Sequence, residues 1–455
     1  MANPFARLRG TLVVAINLPQ QLRLPYLPQD QLCAIRDERV RQIVRYAAET
    51  VPFYHDFFAS QGIDPEDIRT AEDLEQLPLI DKQVVRLQPE RFVSTSRWGR
   101  EAVPFNTSGT TTVPQTIYHD KRSILLDSAF NERGRQVRRK LLGNRLGLRS
   151  MIIVRSAGTV HKVRAAQRAV RLVPGFTRRM SVAITEPIEK VIAVVNAYRP
   201  HVINAYGSYL EMLFRTVKAR GMKMHLPGVV AYSADAMTTA GRRLIEDEFG
   251  IPVLSAYTAV EAFKIGFTCE ERTGLHLHDD LTHVRIVGPD GENLPTGSKG
   301  RVVISNLVNR GTVLLNYRMN DLAALSGETC PCGRTLRLLS GLEGRIEDII
   351  TLADGSLIDP RSVSNALLGL EAVLQYQLVQ HEPTRFELRL ATVDRDTFEV
   401  TSRTVVPSLQ RLLGPSAKIE AVYYADRLPT GAGDKFRAVI SHVRQYEDRE
   451  WTERP

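Results

Sequence analysis

The sequence predicts an α/β fold, in which a large N-terminal domain with a mixed or parallel sheet is followed by a small α+β domain. The chain has 455 residues, which is long for one hydrophobic core and favours at least two domains. Short β-rich runs alternate with amphipathic stretches through its middle, a pattern typical of a largely parallel sheet. Near the C-terminal end, the strand-like runs 374–380, 385–393 and 418–424 and a helical stretch at 398–413 predict the small domain.

The first predicted helical stretch lies at residues 29–60. Residues 29–60 place apolar side chains near helical spacing. Before them, the apolar run 12–16 is short and no small-residue cleavage site follows it, so no signal peptide is expected. No apolar run reaches the ~20 residues that a membrane span needs. Four cysteines, two of them one residue apart, do not form a secreted disulfide framework, and the cytoplasm is the expected compartment.

The middle of the chain is predicted to form the parallel sheet. Its strand-like runs are 151–154, 201–206, 229–232 and 252–257, and its amphipathic stretches are 187–198, 209–220 and 239–249. Ligands of such sheets bind at the carboxyl ends of the strands. The polar segments that follow three of these runs are therefore candidates for a binding site; they are 206–209, 233–235 and 257–258.

The net charge of +9 is concentrated in a basic run from residue 133 to residue 179. A basic surface attracts nucleic acid, a membrane or a polyanionic small molecule, and it is also typical of a solvated helix face. Aromatic residues do not interleave with the basic ones, which argues against nucleic acid. Coenzyme A, with its nucleotide tail, or an acidic carrier protein would suit the run equally well.

The segment 105–114 reads Phe-Asn-Thr-Ser-Gly-Thr-Thr-Thr-Val-Pro. Hydroxyls and backbone N–H groups in such a loop donate to an anion, and glycine lets the main chain come close. The loop is not a Walker loop, because no Gly-Lys-Ser/Thr closes it. A polar surface turn has a similar composition, and the residues alone leave both interpretations open.

In its order, however, the loop resembles the phosphate loop of the adenylate-forming, or acyl-CoA synthetase/AMP-binding, superfamily. The resemblance implies that five of its residues bind nucleotide, namely Thr107, Ser108, Gly109, Thr110 and Thr111. Thr112 stands where that family usually has glycine. Upstream, a helix followed by Val-Pro-Phe-Tyr at 51–54 and Leu-Pro-Leu-Ile-Asp-Lys at 77–82 resembles the phenylacetate–CoA ligase branch.

Two further motifs resemble the nucleotide site of that superfamily. The segment 257–261 is similar to the family's Tyr-Gly-x-Thr-Glu, which implies that Tyr257 lies near the adenine and that Glu261 helps to hold magnesium. Val260 replaces the usual threonine. Asp321 is similar to the aspartate of Tyr-x-x-x-Asp, which implies that it accepts hydrogen bonds from the ribose hydroxyls.

The resemblance also implies where the domains meet. Gly-Arg-Ile-Glu-Asp at 344–348 is similar to a family motif in which the arginine, here Arg345, reaches ribose and phosphate and the acids, here Glu347 and Asp348, form a hinge. The expected domains are therefore 1–344, which binds AMP and substrate, and 345–455, a mobile lid. The segment 428–437 is similar to the loop that carries the family's catalytic lysine, here Lys435, with Asp434 in place of a glycine.

Three cysteines and a histidine form a separate group. Cys269, His276, Cys330 and Cys332 have side chains that suit tetrahedral zinc, and similar spacing occurs in some members of the phenylacetate–CoA ligase branch. His278 is the alternative imidazole. Reduced, partly buried cysteines are the alternative to a structural zinc site.

Taken together, the resemblance implies an enzyme that uses ATP and magnesium to convert a carboxylic acid into an acyl-AMP, with release of pyrophosphate, and then passes the acyl group to coenzyme A. An amine or a carrier-protein thiol is the alternative acceptor. A degenerate nucleotide-binding protein is a third possibility, motivated by Thr112, Val260 and Asp434. By analogy the acid is an aryl or small planar one, and the residues expected to line its pocket are Tyr206, Ser208, Ser233 and Tyr257.

Overall fold

A computed structural model describes residues 4–107, 115–144, 147–155, 159–169, 177–342, 348–367, 372–430 and 435–443. The N-terminal part is helical. Its helices are α1 (Pro4–Arg23), α2 (Gln29–Thr50), α3 (Pro52–Gln61), α4 (Lys82–Leu87) and α5 (Arg97–Arg100). The predicted helical stretch 29–60 is confirmed as two helices, α2 and α3. Helix α3 begins at Pro52, which fits the first turn because proline has no N–H to leave unpaired there.

The centre of the large domain is a mixed sheet of eleven strands among the described residues. In chain order these strands are β3 (Arg149–Val154), β4 (Arg178–Ala183), β5 (Val202–Ala205), β6 (Val229–Ser233), β7 (Val253–Tyr257), β8 (Gly266–Thr268), β9 (Leu275–Leu277), β10 (Thr282–Val287), β11 (Gly300–Asn306), β12 (Tyr317–Ser326) and β13 (Leu338–Ser340). A separate hairpin, β1 (Val103–Asn106) and β2 (Thr116–His119), flanks the segment 108–114.

The strand order is β10-β11-β12-β13-β9-β8-β7-β6-β5-β3-β4. From β7 to β4 all neighbours are parallel, and from β7 to β10 all are antiparallel. The parallel half is connected and covered by helices, which are α6 (Lys121–Leu141), α7 (Thr159–Ala169), α8 (Ile188–Tyr198), α9 (Gly207–Ala219) and α10 (Thr239–Arg243). The prediction of a parallel sheet with intervening helices is therefore confirmed for this half.

The hydrophobic core of the large domain has two main parts. One lies around the parallel strands and helix α9, where Phe214 and Leu213 are buried. The other packs helices α2 and α3 against the antiparallel strands, with Tyr54 and Tyr317 among its buried side chains. The active-site candidates described below lie where the two halves of the sheet meet.

The C-terminal part is a small α+β unit with its own core. A hairpin of β14 (Ile350–Thr351) and β15 (Leu357–Ile358) precedes helix α11 (Pro360–Ala366). A four-stranded sheet follows, in the order β18-β17-β16-β19, formed by β16 (Val373–Glu382), β17 (Arg385–Thr392), β18 (Lys418–Tyr424) and β19 (Val439–Ser441). Helix α12 (Arg395–Leu413) packs on this sheet through Val405 and Leu409. The predicted α+β pattern is confirmed, whereas the expected boundary at residue 344 lies outside the described residues and stays a prediction.

Candidate active site

A cavity of about 660 Å³ lies between the large domain and the C-terminal unit. Both parts of the chain line it, the large domain with the ends of strands β6 and β7 and with β12, and the C-terminal unit with the segment 435–439. Several of the predicted site residues meet there; they are Thr107, Ser208, Tyr257, Glu261, Asp321, Asp348 and Lys435. Residues separated by more than 300 positions in sequence thus share one cavity, which is large enough for a nucleotide-sized ligand.

Tyr257 and Asp321 are directly bonded in this cavity. The Tyr257 hydroxyl donates to Oδ2 of Asp321 at 2.6 Å. Tyr257 ends strand β7, and Asp321 lies within strand β12 rather than in a turn. The bond holds the carboxylate in one orientation, and its other oxygen remains an acceptor for a ligand hydroxyl.

Glu261 lies in the turn that follows strand β7 and is buried. The Tyr317 hydroxyl donates to its Oε1 at 3.5 Å, and Asn306 binds its backbone carbonyl at 3.0 Å. Burial, together with the nearby Glu261 carboxylate, raises the pKa of Tyr317 well above its ordinary value, so Tyr317 remains a hydrogen-bond donor. A buried carboxylate that faces a nucleotide-sized cavity is the type of oxygen ligand that magnesium takes when it bridges phosphates.

Asp235 lines the cavity, although it is not among the residues predicted to form the substrate pocket. Its carboxylate accepts hydrogen bonds from the Gly207 N–H and the Ser208 hydroxyl, each at 2.5 Å. Burial raises the pKa of Asp235 to about 6, an effect that the Ser208 and Gly207 bonds and the Lys435 ammonium oppose. The carboxyl therefore joins the end of strand β6 to the start of helix α9 at the wall of the cavity.

The backbone around Asp235 is unusual in two respects. Ala234 has a φ of 79°, a left-handed conformation that is uncommon for residues other than glycine and that often occurs at functional sites. Gly207 lies so close to the backbone of Ala236 that a Cβ atom at position 207 would be only 2.8 Å from it. These two features allow the end of strand β6 and the start of helix α9 to meet. In the sequence, they are visible only as a glycine and as the end of a predicted strand.

Lys435 and Arg437 reach the cavity from the C-terminal unit. The Arg437 guanidinium forms an ion pair with Asp348, with Nε at 2.6 Å from Oδ1. Both partners are mostly buried. The pair ties the segment that carries Lys435 to Asp348, the described residue of the predicted hinge.

Some predicted site residues lie elsewhere. Tyr206 and Ser233 are not among the residues that line the cavity, and Tyr206 packs against the core of the parallel half. The side chain that follows Ser233 by two positions, Asp235, faces the cavity instead. Six predicted residues lie outside the described residues; they are Ser108, Gly109, Thr110, Thr111, Arg345 and Glu347.

The predicted zinc ligands form a compact cluster, and none of the four lines the cavity. The ligand atoms of Cys269, His276, Cys330 and Cys332 all lie within 4.8 Å of one another. The Sγ atoms of Cys269 and Cys330 are 3.5 Å apart, and Cys332 Sγ is 3.3 Å from His276 Nε2. With bonds of ~2.3 Å to sulfur and ~2.0 Å to nitrogen, a tetrahedral zinc ion would hold its ligands at similar separations.

The surroundings of the cluster also suit a metal. His276 Nδ1 lies 3.4 Å from the Leu336 carbonyl oxygen, an arrangement in which Nδ1 carries the proton and Nε2 faces the thiols. Burial lowers the pKa of His276 to about 4, so the imidazole is neutral, as a ligand must be. His278, the alternative imidazole, lies instead against the buried Arg133, with 3.0 Å between Nδ1 and Nη1.

Among the residues that the structure describes, no helix has the length and apolarity needed to cross a membrane.

Comparisons with known proteins agree with this fold. The chain is 29% identical to the phenylacetate–coenzyme A ligase of Thermus thermophilus over 422 residues, which cover 86% of this chain and 89% of that one. It is 25% identical to the phenylacetate–coenzyme A ligase of Escherichia coli, over 77% of this chain and 79% of that one. No family model matches the chain.

Solved structures share the architecture. The crystal structure of a 2-hydroxyisobutyryl-CoA ligase in the postadenylation state matches with a TM-score of 0.74, at 18% identity and with 94% of each chain covered. The same ligase in its thioesterification state gives a TM-score of 0.59.

The fold is that of the adenylate-forming ligases, a large α/β domain followed by a small C-terminal unit. In sequence, the chain is a homologue of the phenylacetate–coenzyme A ligases.

Proposed function

We propose that this protein is an AMP-forming acid–coenzyme A ligase that activates a carboxylic acid with ATP. The observation that carries the proposal is that Lys435 of the C-terminal unit lines the same cavity as Tyr257, Glu261 and Asp321 of the large domain. The homology to phenylacetate–coenzyme A ligases supports it independently. A site shared by two domains suits a reaction with two steps, because rotation of one domain replaces the groups around a fixed ligand.

In the first step a carboxylate oxygen of the acid attacks the α-phosphorus of ATP, the bond to the bridging oxygen of the β-phosphate breaks, and pyrophosphate leaves. Asp321, oriented by Tyr257, would accept hydrogen bonds from the ribose hydroxyls. Lys435 would stabilise the negative charge that collects on the oxygens between the acid and the α-phosphate. Magnesium, held in part by Glu261, would supply further positive charge at the phosphates.

In the second step the sulfur of coenzyme A attacks the acyl carbon, AMP leaves with the electron pair of the broken bond, and the thiol proton is released. Rotation of the C-terminal unit about the segment that contains Glu347 and Asp348 would admit the thiol. The comparisons reported above concern coenzyme A ligases and give no support to an amine or a carrier protein as acceptor.

We also propose that Cys269, His276, Cys330 and Cys332 hold a structural zinc ion, as their donor atoms and separations suit that metal. The cytoplasm stays the expected compartment, on the argument from cysteine usage alone.

The proposed function is tested by ATP–pyrophosphate exchange with purified protein, magnesium and a panel of aryl, fatty and amino acids. We expect exchange with one class of acid, and thioester formation when coenzyme A is added. The acid class follows by analogy with the relatives and is expected to be aryl or small and planar. Tight ATP binding without exchange for any acid would instead favour a nucleotide-binding protein without turnover.

A further inference from the structure

Helix α1 has an apolar stripe on its outer face. Phe5, Leu8, Leu12 and Ile16 are exposed, by 79%, 48%, 52% and 75% respectively. At about 100° per residue, the four side chains fall within an arc of about 80° around the helix. Single exposed apolar residues are ordinary, whereas four in line over three turns form a continuous patch.

The opposite face of α1 is firmly docked on the large domain. Val13 packs against Leu126 and Phe130 of helix α6. Gln21 is buried, and its side-chain carbonyl accepts two hydrogen bonds from the fully buried Arg133, at 3.0 and 2.6 Å. Helix α1 is therefore held against the large domain by its other face, and its stripe is directed outward.

The charges beside the stripe are all positive. Arg9 and Arg23 are exposed, and by the same helical spacing they lie about 60° and about 20° from the centre of the stripe. The first acidic residue of the chain is Asp30, which lies beyond the end of α1. The protein as a whole carries a net charge of +9. A surface that covers the stripe therefore meets guanidinium groups and no carboxylate of α1.

We propose that α1 lies on an anionic lipid surface, with Phe5, Leu8, Leu12 and Ile16 inserted among the acyl chains and Arg9 and Arg23 at the phosphates. Helices that lie on membranes use phenylalanine and leucine for insertion and basic residues to bind anionic lipid, and the exposed side of α1 carries both residue types. The charged residues of α1 are all arginines, whose guanidinium groups suit the phosphates of an anionic lipid surface. The inference does not depend on the enzymatic activity.

The proposal is tested by sedimentation of the purified full-length protein with vesicles. One set of vesicles contains phosphatidylcholine with about one third phosphatidylglycerol, and the other contains phosphatidylcholine only. The double variant Leu8→Glu/Leu12→Glu places carboxylates in the stripe. Leu87→Glu is the matched control, because Leu87 is 80% exposed at the end of helix α4, outside the stripe. Circular dichroism checks that each variant is folded.

We expect the protein to bind the anionic vesicles, to bind less as salt is raised, and to bind the neutral ones at most weakly. The double variant should bind about tenfold or more weakly, since burial of two leucines is replaced by burial of two charges, and Leu87→Glu should bind as the unchanged protein does. The proposal would be overturned by equal binding of both vesicle types, by an equal loss of binding in Leu87→Glu, or by no loss of binding in the double variant. So would a dimer, detected by light scattering, that the double variant converts to a monomer.

Discussion

The hydroxyl of Tyr257 lies 2.6 Å from Oδ2 of Asp321, although their strands, β7 and β12, are separated by three other strands in the sheet. In a flat sheet, four steps of ~4.8 Å would place these strands ~19 Å apart, beyond the reach of a tyrosine and an aspartate. The antiparallel half must therefore bend over the end of the parallel half. This bend brings Glu261 and Asp321 to the same cavity.

Replacement of Tyr257 by phenylalanine should weaken ATP binding. The change removes the donor that orients Asp321 and keeps the ring, and a hydrogen bond to a charged group is worth ~1.5–3 kcal/mol. We expect the KM for ATP in pyrophosphate exchange to rise about tenfold, with a smaller change in kcat. Tyr198→Phe is the control, because among the described residues the Tyr198 hydroxyl has no hydrogen-bond partner. An unchanged KM in Tyr257→Phe would show that Asp321 needs no such orientation.

Replacement of Lys435 by alanine should abolish adenylation and leave ATP binding nearly intact. The ammonium lies in the cavity beside Asp235 and acts on charge that develops only during the reaction. Loss of a preorganised charge of this kind costs ~10²–10³ in rate. The rate of pyrophosphate exchange and the Kd for ATP from calorimetry are measured side by side. A parallel loss of both would mean that Lys435 serves only to bind the nucleotide.

The sequence predicted most of the fold because its main signals are local. The helix from Gln29 to Thr50 has apolar residues at helical spacing, and the parallel strands are short β-rich runs between amphipathic stretches. Tyr257, Asp321 and Lys435 were selected because each belongs to a motif with a fixed spacing. Their meeting at one cavity depends on the bend of the sheet and on the position of the C-terminal unit, which no local pattern specifies.

Asp235 shows what the sequence could not reveal. It belongs to the predicted strand end 233–235, but the residue of that segment expected to line the pocket is Ser233. The choice between the two depends on the left-handed turn at Ala234, which directs Asp235 toward the cavity. The bonds to Gly207 and Ser208 join residues 28 and 27 positions apart, which the pairing of strand β6 with β5 brings together.

Removal of one zinc ligand should release the metal and destabilise the fold around it. We expect about one zinc ion per chain by elemental analysis, and far less in Cys332→Ser, because a hydroxyl replaces one of the three thiolates. The melting temperature should fall as well, since strand β9 carries His276 and pairs with β13. Cys33→Ser is the control, because Cys33 lies far from the cluster in sequence and is not part of it. A metal-free wild-type protein with the same melting temperature as Cys332→Ser would contradict the proposal.

Replacement of Asp235 by asparagine should change how stability depends on pH. Burial raises the pKa of this carboxyl to about 6, above its ordinary value of 3.8, so the folded state prefers the protonated form. The corresponding stability is fully present below pH ~3.8 and is lost as the pH rises through about 6.

The asparagine variant has no such titration, and the Gly207 N–H can still donate to its side-chain oxygen. The melting temperature of the variant minus that of the wild type should therefore increase from pH 4 to pH 7 and level off above it. Asp247→Asn is the control, because the exposed Asp247 is in water in both states. The difference could instead stay constant with pH or decrease. That result would mean that the hydrogen bonds and Lys435 stabilise the carboxylate more than burial destabilises it.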